Sequence, residues 1–174
     1  MLIVDLDDTL VASTKLNNDA YNYALEKLGF AEIKTSGRIT RKSLAHLSPE
    51  MLTKVISEKQ NYFTRDWMPY RLTINSKLIH KMIWAGKENC FIWTKSEKGR
   101  AMAIIEKLRI DKIISGVIFD DKKDFLGKSL KLLQAHTRAD TAVIYENTKL
   151  RNLKVVDSID SKPFRVKGYL AVLK

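Results

Sequence analysis

The first six residues set the reading of the chain. Leu2 to Leu6 form a short, nearly continuous apolar run that ends among acids, the pattern of a strand buried on both faces of a parallel sheet. The acids then fall at its carboxyl end. From Leu16 to about Leu28 the apolar positions Leu16, Ala20, Tyr23, Ala24 and Leu28 recur at helical spacing, and Gly29 closes the pattern. Ser48-Pro49-Glu50 before Leu52, Val55 and Ile56 announces a second helix, with a capping hydroxyl, a proline in the first turn and an acid beside it. Ile74 to Gly86 is helical in period, and Asn89 to Trp93 is an apolar run closed by Thr94, Lys95 and Ser96. Ala101 to Leu108 predicts a helix, Val117 to Phe119 a strand before Asp120 and Asp121, Phe125 to Gln134 a helix, and Ala142 to Tyr145 a strand. Leu153 to Val156 and Phe164 to Leu173 are strand-like.

Strands alternating with helices predict an open three-layer α/β sheet of parallel strands, with ligands at the strands' carboxyl ends. Residues 15–73 interrupt that alternation with helices only. They are expected to form a small inserted helical cap, leaving residues 1–14 and 74–174 as the core domain. The 174 residues, 45% of them hydrophobic, suffice for one substantial core and fall short of two full-sized domains.

Composition narrows the partners. The single cysteine, Cys90, rules out an internal disulfide and a cysteine-based zinc cluster, and its neighbours Phe91 and Ile92 predict a core position. Asp5, Asp7 and Asp8 cut short the apolar start, so neither a signal peptide nor a membrane span is expected and the location is expected to be cytosolic. The formal charge of +11 is dispersed, its cations occurring singly or in pairs. Such a surface attracts anions, and it predicts solvated lysines ahead of a dedicated nucleic-acid groove. His46, His80 and His136 lack metal-ligand spacing.

The chemistry concentrates in Leu2-Ile-Val-Asp5-Leu-Asp7-Asp8-Thr9-Leu10, a buried strand running into DxDxT. This segment resembles the first motif of the haloacid dehalogenase superfamily. The resemblance implies that Asp5 attacks phosphorus and that Asp7 shuttles a proton. The physics agrees: residues two apart beyond a strand end can face one pocket, and a divalent cation keeps the first carboxylate ionised for attack. The second carboxyl, farther from the metal, can protonate the departing oxygen and later deprotonate water. An acid at position 7 also distinguishes the superfamily's phosphatases and phosphomutases from its dehalogenases.

Further matches follow in the superfamily's order. Thr94 stands where a hydroxyl binds a phosphate oxygen, and the adjoining Lys95 is a second candidate for substrate. Lys128 fits one spacing of the lysine that offsets charge on nucleophile and phosphoryl group, Lys123 another, and Lys128 is preferred. Glu146-Asn147 follows a strand where the superfamily supplies metal-binding acids, as Glu-Asp does in β-phosphoglucomutase-like members. The resemblance thus implies Mg2+ held by Asp5, the backbone carbonyl of Asp7, Glu146 and Asn147, the last directly or through water. Asn147 in place of an acid is expected to weaken metal affinity. In the cap, Gly37 with Arg38, Arg41 and Lys42 is a candidate for recognising a second phosphate or a nucleotide. Trp67, Tyr70 and Trp84 are candidates for stacking on a base, although aromatics at helical spacing are more often core.

The expectation is therefore a magnesium-dependent phosphomonoester hydrolase acting through an aspartyl-phosphate intermediate on a small phosphorylated metabolite or nucleotide. The alternatives are a phosphatase for nucleic-acid ends, and a protein of weak or no turnover that binds phosphorylated ligands.

Overall fold

The structure, a computed structural model, describes residues 1–65, 72–136 and 138–173, so Trp67 and Tyr70 lie outside the described residues. It divides into two compact units, Met1–Ala12 with Thr73–Lys174, and Ser13–Leu72.

The Ser13–Leu72 unit is built on α1 (Thr14–Lys27) and α2 (Pro49–Arg65). At the end of α1, Gly29 takes φ +78°, a left-handed conformation that costs glycine no steric strain. The hydroxyl of Ser48 accepts the N–H of Met51 at 3.2 Å, capping α2 as its sequence predicts. Tyr21, Ala24 and Leu25 of α1 share a core with Ile39, Leu44 and Val55. The intervening segment has no ladder to satisfy its backbone, and asparagines of α1 replace one. Asn17 donates to Ile39 O at 2.9 Å, Asn18 accepts from Ile39 N at 2.8 Å and Asn22 accepts from Ile33 N at 3.0 Å.

The other unit begins with β1 (Leu2–Val4) and β2 (Val11–Ala12) and resumes with β3 (Thr73–Ile74), which pairs with β2. There follow α3 (Ser76–Ala85), β4 (Cys90–Thr94), α4 (Lys98–Lys107), β5 (Gly116–Phe119), a π-helical turn at Phe125–Ser129 leading into α5 (Leu130–Ala135), β6 (Thr141–Glu146), β7 (Lys154–Ser161) and β8 (Phe164–Val172). The main sheet has the order β5-β4-β1-β6-β8-β7. β1 is central, paired in parallel with β4 (Ile3↔Phe91) and with β6 (Ile3↔Ile144). Burial on both faces explains its unbroken apolar run: Ile3 and Val4 are fully enclosed. Ile3, Phe91, Trp93, Ile118, Ile144 and Leu133 of α5 form the principal cluster on one face, each such side chain contributing about 1.5–3 kcal/mol by leaving water. Opposite, Met82 of α3 is buried and its carbonyl accepts from the Cys90 thiol at 3.2 Å.

The sheet departs from the all-parallel expectation at β8, which runs antiparallel to both β6 and β7. Only residues 162–163 separate β7 from β8, a hairpin connection that makes these strands antiparallel, and Leu150 in the link between β6 and β7 is buried in the core cluster. The strands approach closely at Gly168: a Cβ there would lie 3.1 Å from both the Asp157 Cβ and the Tyr145 ring, tighter than ordinary packing. Trp84, read from its spacing as a core or stacking residue, is 90% exposed on α3. Among the described residues no helix is long and apolar enough to cross a membrane.

Candidate active site

Parallel β1, β4, β5 and β6 bring their carboxyl ends, and with them Asp5, Thr94, Asp120 and Glu146, to one edge of the sheet. Asp5 extends β1 by one bond, its N–H donating to Tyr145 O at 3.0 Å. The chain then turns sharply: Leu10 N and Val11 N both donate to Leu6 O, at 3.1 and 3.0 Å, and Asp8 takes φ +57°. A short aspartate tolerates that left-handed position better than most side chains.

Asp5 and Glu146 converge on one cation. Lys122 Nζ donates to Asp5 Oδ1 at 2.6 Å and to Glu146 Oε2 at 2.7 Å, and all three side chains are buried. Burial pushes the Asp5 carboxyl up to about 7, with the Glu146 charge adding to the rise and the Lys122 ammonium opposing it. Lys122 reaches this position because it adopts φ +55° just beyond β5. The left-handed turn directs its side chain inward, with the ammonium 4.5 Å from the Trp93 ring centroid. Trp93 is itself fixed, its indole N–H donating to Asp120 Oδ2 at 3.3 Å.

The favoured Lys128 and its alternative Lys123 therefore do not stand beside the carboxylates. Lys128 is exposed near the start of the α5 segment, and Lys123 is exposed and turned to Asp121 at 3.5 Å. The residue between Asp5 and Glu146 is Lys122, immediately before Lys123. Periodicity could not separate adjacent lysines after Asp120-Asp121; the left-handed turn between them does.

Thr94 is buried at the end of β4, and its hydroxyl accepts the N–H of Ser96 at 3.1 Å while keeping a proton to donate. The cap of α4 is Glu97, whose carboxylate accepts from Gly99 N and Arg100 N at 3.0 Å each. Lys95 is exposed. Thr9 of the DxDxT segment accepts from Asn147 N at 3.0 Å, and the Asn147 amide donates to the Asp7 carbonyl at 3.3 Å. The DxDxT segment and the Glu146-Asn147 turn are thus joined by two hydrogen bonds. Arg38 donates to Ser13 Oγ at 3.1 Å and Arg41 is exposed at the start of a short 3-10 turn, both within the helical unit.

Asp7 has partners that the sequence did not point to. Arg100 Nη1 donates to its Oδ2 at 2.8 Å, Arg100 Nη2 donates to its Oδ1, and the Ser96 hydroxyl donates to its Oδ2. Arg100 is 4% exposed in its side chain, on the buried face of α4 with Ala101, Ile104 and Ile105. Burial works against its charge, but the Asp7 carboxylate more than offsets this and raises its pKa. The available signal was Ser96 and Arg100 one helical turn apart, obscured because apolar spacing started that helix at Ala101.

Among the described residues no group of three or more His, Cys, Asp or Glu side chains is arranged to hold a metal. Asp5 and Glu146 meet on Lys122, and the Asp7 carbonyl accepts the Asn147 amide N–H, so these segments offer oxygen donors that include two carboxylates. That set fits magnesium, which keeps several waters and takes one or two carboxylates.

The fold is that of the haloacid dehalogenase-like hydrolases. A family IA, variant 3 hydrolase of that type from Entamoeba histolytica HM-1:IMSS superposes with a TM-score of 0.61 at 20% identity, over 80% of this chain and 70% of that one. A haloacid dehalogenase-like family protein from Streptococcus pneumoniae gives 0.62 at 20% identity, over 82% and 73%. CbbY from Rhodobacter sphaeroides, solved in complex with phosphate, gives 0.57 at 15% identity, over 82% and 75%. No family model matches the chain, and no curated protein does.

Proposed function

We propose that the protein is a magnesium-dependent phosphomonoester hydrolase that uses Asp5 as nucleophile, on a small phosphorylated metabolite or nucleotide. The observation that carries this reading is the convergence of Asp5, Glu146 and the buried Lys122 at the carboxyl edge of the sheet. Likeness of fold to a haloacid dehalogenase-like hydrolase, and to CbbY in its complex with phosphate, supports it.

Magnesium, held by Asp5, the Asp7 carbonyl, Glu146 and Asn147, would neutralise charge on the phosphoryl oxygens and keep Asp5 ionised. A carboxylate oxygen of Asp5 forms a bond to phosphorus as the bond from phosphorus to the departing oxygen breaks, and Asp7 gives that oxygen its proton. Thr94 and Lys122 hold transferred oxygens in place by donating hydrogen bonds, and Lys95, Arg38 and Arg41 are candidates for the remainder of the substrate. Water then attacks phosphorus, its proton passes to Asp7, and the bond to Asp5 breaks to release orthophosphate. Hydrolysis of 4-nitrophenyl phosphate with magnesium, lost in Asp5→Asn, tests this reading; no turnover across a broad panel of phosphate monoesters contradicts it.

One contact favours a second reading, binding of phosphorylated ligands without turnover. The Asn147 amide N–H is donated to the Asp7 carbonyl, an oxygen assigned here to the metal, and Asn147 brings no charge of its own. Binding of inorganic phosphate by a chain with no phosphatase activity would select that reading.

A further inference from the structure

We infer that Arg100, assisted by Ser96, is the positioning residue for Asp7, holding the proton-carrying carboxylate in a fixed orientation relative to the attacked phosphorus. The inference rests on the proposed hydrolase reading and adds to it two residues from α4 and the turn before it.

Three observations carry it. Both oxygens of Asp7 are engaged by one guanidinium, Nη1 on Oδ2 at 2.8 Å and Nη2 on Oδ1. Two parallel bonds from a planar fork fix the rotation of a carboxylate as well as its position, which a point charge does not. Ser96 adds a third support, donating to Asp7 Oδ2 while accepting from Arg100 Nη1. Finally, Arg100 is 4% exposed in its side chain whereas Asp7 is 18% exposed, so solvent and substrate reach the carboxylate and not the guanidinium. Arg100 therefore acts through Asp7.

Why should Asp7 need such support? It lies beyond the end of β1 and immediately before the left-handed Asp8, where backbone alone fixes a side chain poorly, and the residue two positions before it is the proposed nucleophile. Anchoring to α4, whose first turn is capped by Glu97 and whose Ala101, Ile104 and Ile105 are buried, ties Asp7 to a rigid element. The fork matters more than the charge, since a misplacement of about 1 Å can lower a rate by about a hundredfold.

The test compares wild type with Arg100→Lys, which keeps the charge and loses the fork, and Ser96→Ala, which removes the smallest part of the clamp. Substrates are 4-nitrophenyl phosphate, whose leaving oxygen departs without a proton, and an alkyl phosphate, whose oxygen requires one. Positioning predicts that Arg100→Lys lowers kcat for the alkyl phosphate by about a hundredfold with KM nearly unchanged. It also predicts a first-turnover burst on the aryl phosphate that survives ahead of a slowed steady state. Ser96→Ala should show the same pattern, about tenfold. An aryl phosphate burst slowed as much as the alkyl phosphate reaction, a loss confined to KM, or full activity in Arg100→Lys overturns the inference. Thermal unfolding and side-chain NMR of the guanidinium accompany the kinetics. A wild-type guanidinium indifferent to Asp7→Asn removes the clamp whatever the activity. A wild type without turnover, its clamp intact, overturns the hydrolase reading and this inference together. Turnover abolished by Asp5→Asn but indifferent to Arg100→Lys overturns this inference alone.

Discussion

Lys122 Nζ lies 2.6 Å from Asp5 Oδ1 across 117 residues of chain, and the same ammonium lies 2.7 Å from Glu146. Two buried carboxylates share one buried cation, and the consequences of that arrangement can be measured.

Removing the cation leaves its partners uncompensated. Lys122→Met should lower unfolding stability by about 3–5 kcal/mol in denaturant titrations, the usual cost of stripping one member from a buried ion pair. Magnesium should recover part of that loss by supplying the missing positive charge, raising the midpoint of the variant more than that of wild type. Equal shifts in both would mean that the ion does not bind between these carboxylates.

Asn147 offers a direct test of the donor set. Asn147→Asp adds a carboxylate next to the Asp7 carbonyl and should raise magnesium affinity about tenfold in a calorimetric titration, as an extra charged oxygen ligand would. Unchanged affinity would remove position 147 from the metal's surroundings.

On the strand that carries Glu146, the Tyr145 hydroxyl donates to Asp157, which also pairs with Lys81 at 3.0 Å. Burial, the bond to Asp157 and that carboxylate's charge raise the Tyr145 pKa. For Asp157 burial acts upward, but bonds from Tyr145, Lys81 and Ser158 N lower the pKa overall. The tyrosine's stabilisation is therefore complete below its unfolded value near 10 and is lost as pH climbs through the higher folded value. The aspartate's is present above about 4 and is lost as pH falls through its lowered folded value. Tyr145→Phe should cost about 1 kcal/mol near neutrality, and the deficit should shrink in strong alkali and in acid. A deficit unchanged across that range in urea melts would show that the bond is not linked to pH.

Cys90 is fully enclosed beneath α3, and burial raises its thiol to about 11, with a small opposing effect of the N-terminus. Native protein at pH 8 should react with a disulfide reagent only as fast as it opens, and at full rate in denaturant. Rapid native labelling would contradict the packing of α3 on β4.

Much of this architecture was legible in the sequence because burial writes periodicity. The apolar run Leu2–Leu6, the Ser48-Pro49-Glu50 start of α2 and the Asn89–Trp93 run each marked an element found close to the expected bounds. What stayed hidden depends on backbone handedness and long-range pairing. The direction of β8 follows from the two-residue connection, residues 162–163, that joins it to β7, which apolar alternation does not encode. The choice of Lys122 over Lys123 and Lys128 follows from one left-handed residue, and Arg100 was invisible because a buried arginine interrupts the apolar pattern that reveals a helix. The carboxylates, by contrast, stood out in the sequence at once, since acids ending a buried strand have no reason in packing to be there.

The proposed mechanism requires that Asp5 become covalently phosphorylated. Rapid quenching of the protein during turnover of a phosphate monoester with magnesium, followed by mass spectrometry of the N-terminal peptide, tests it most directly. A transient gain of one phosphoryl group on Asp5 is expected, absent in Asp5→Asn and longer-lived in Asp7→Asn. Steady turnover with no phosphoryl group ever on Asp5, or with one on another residue, would contradict it.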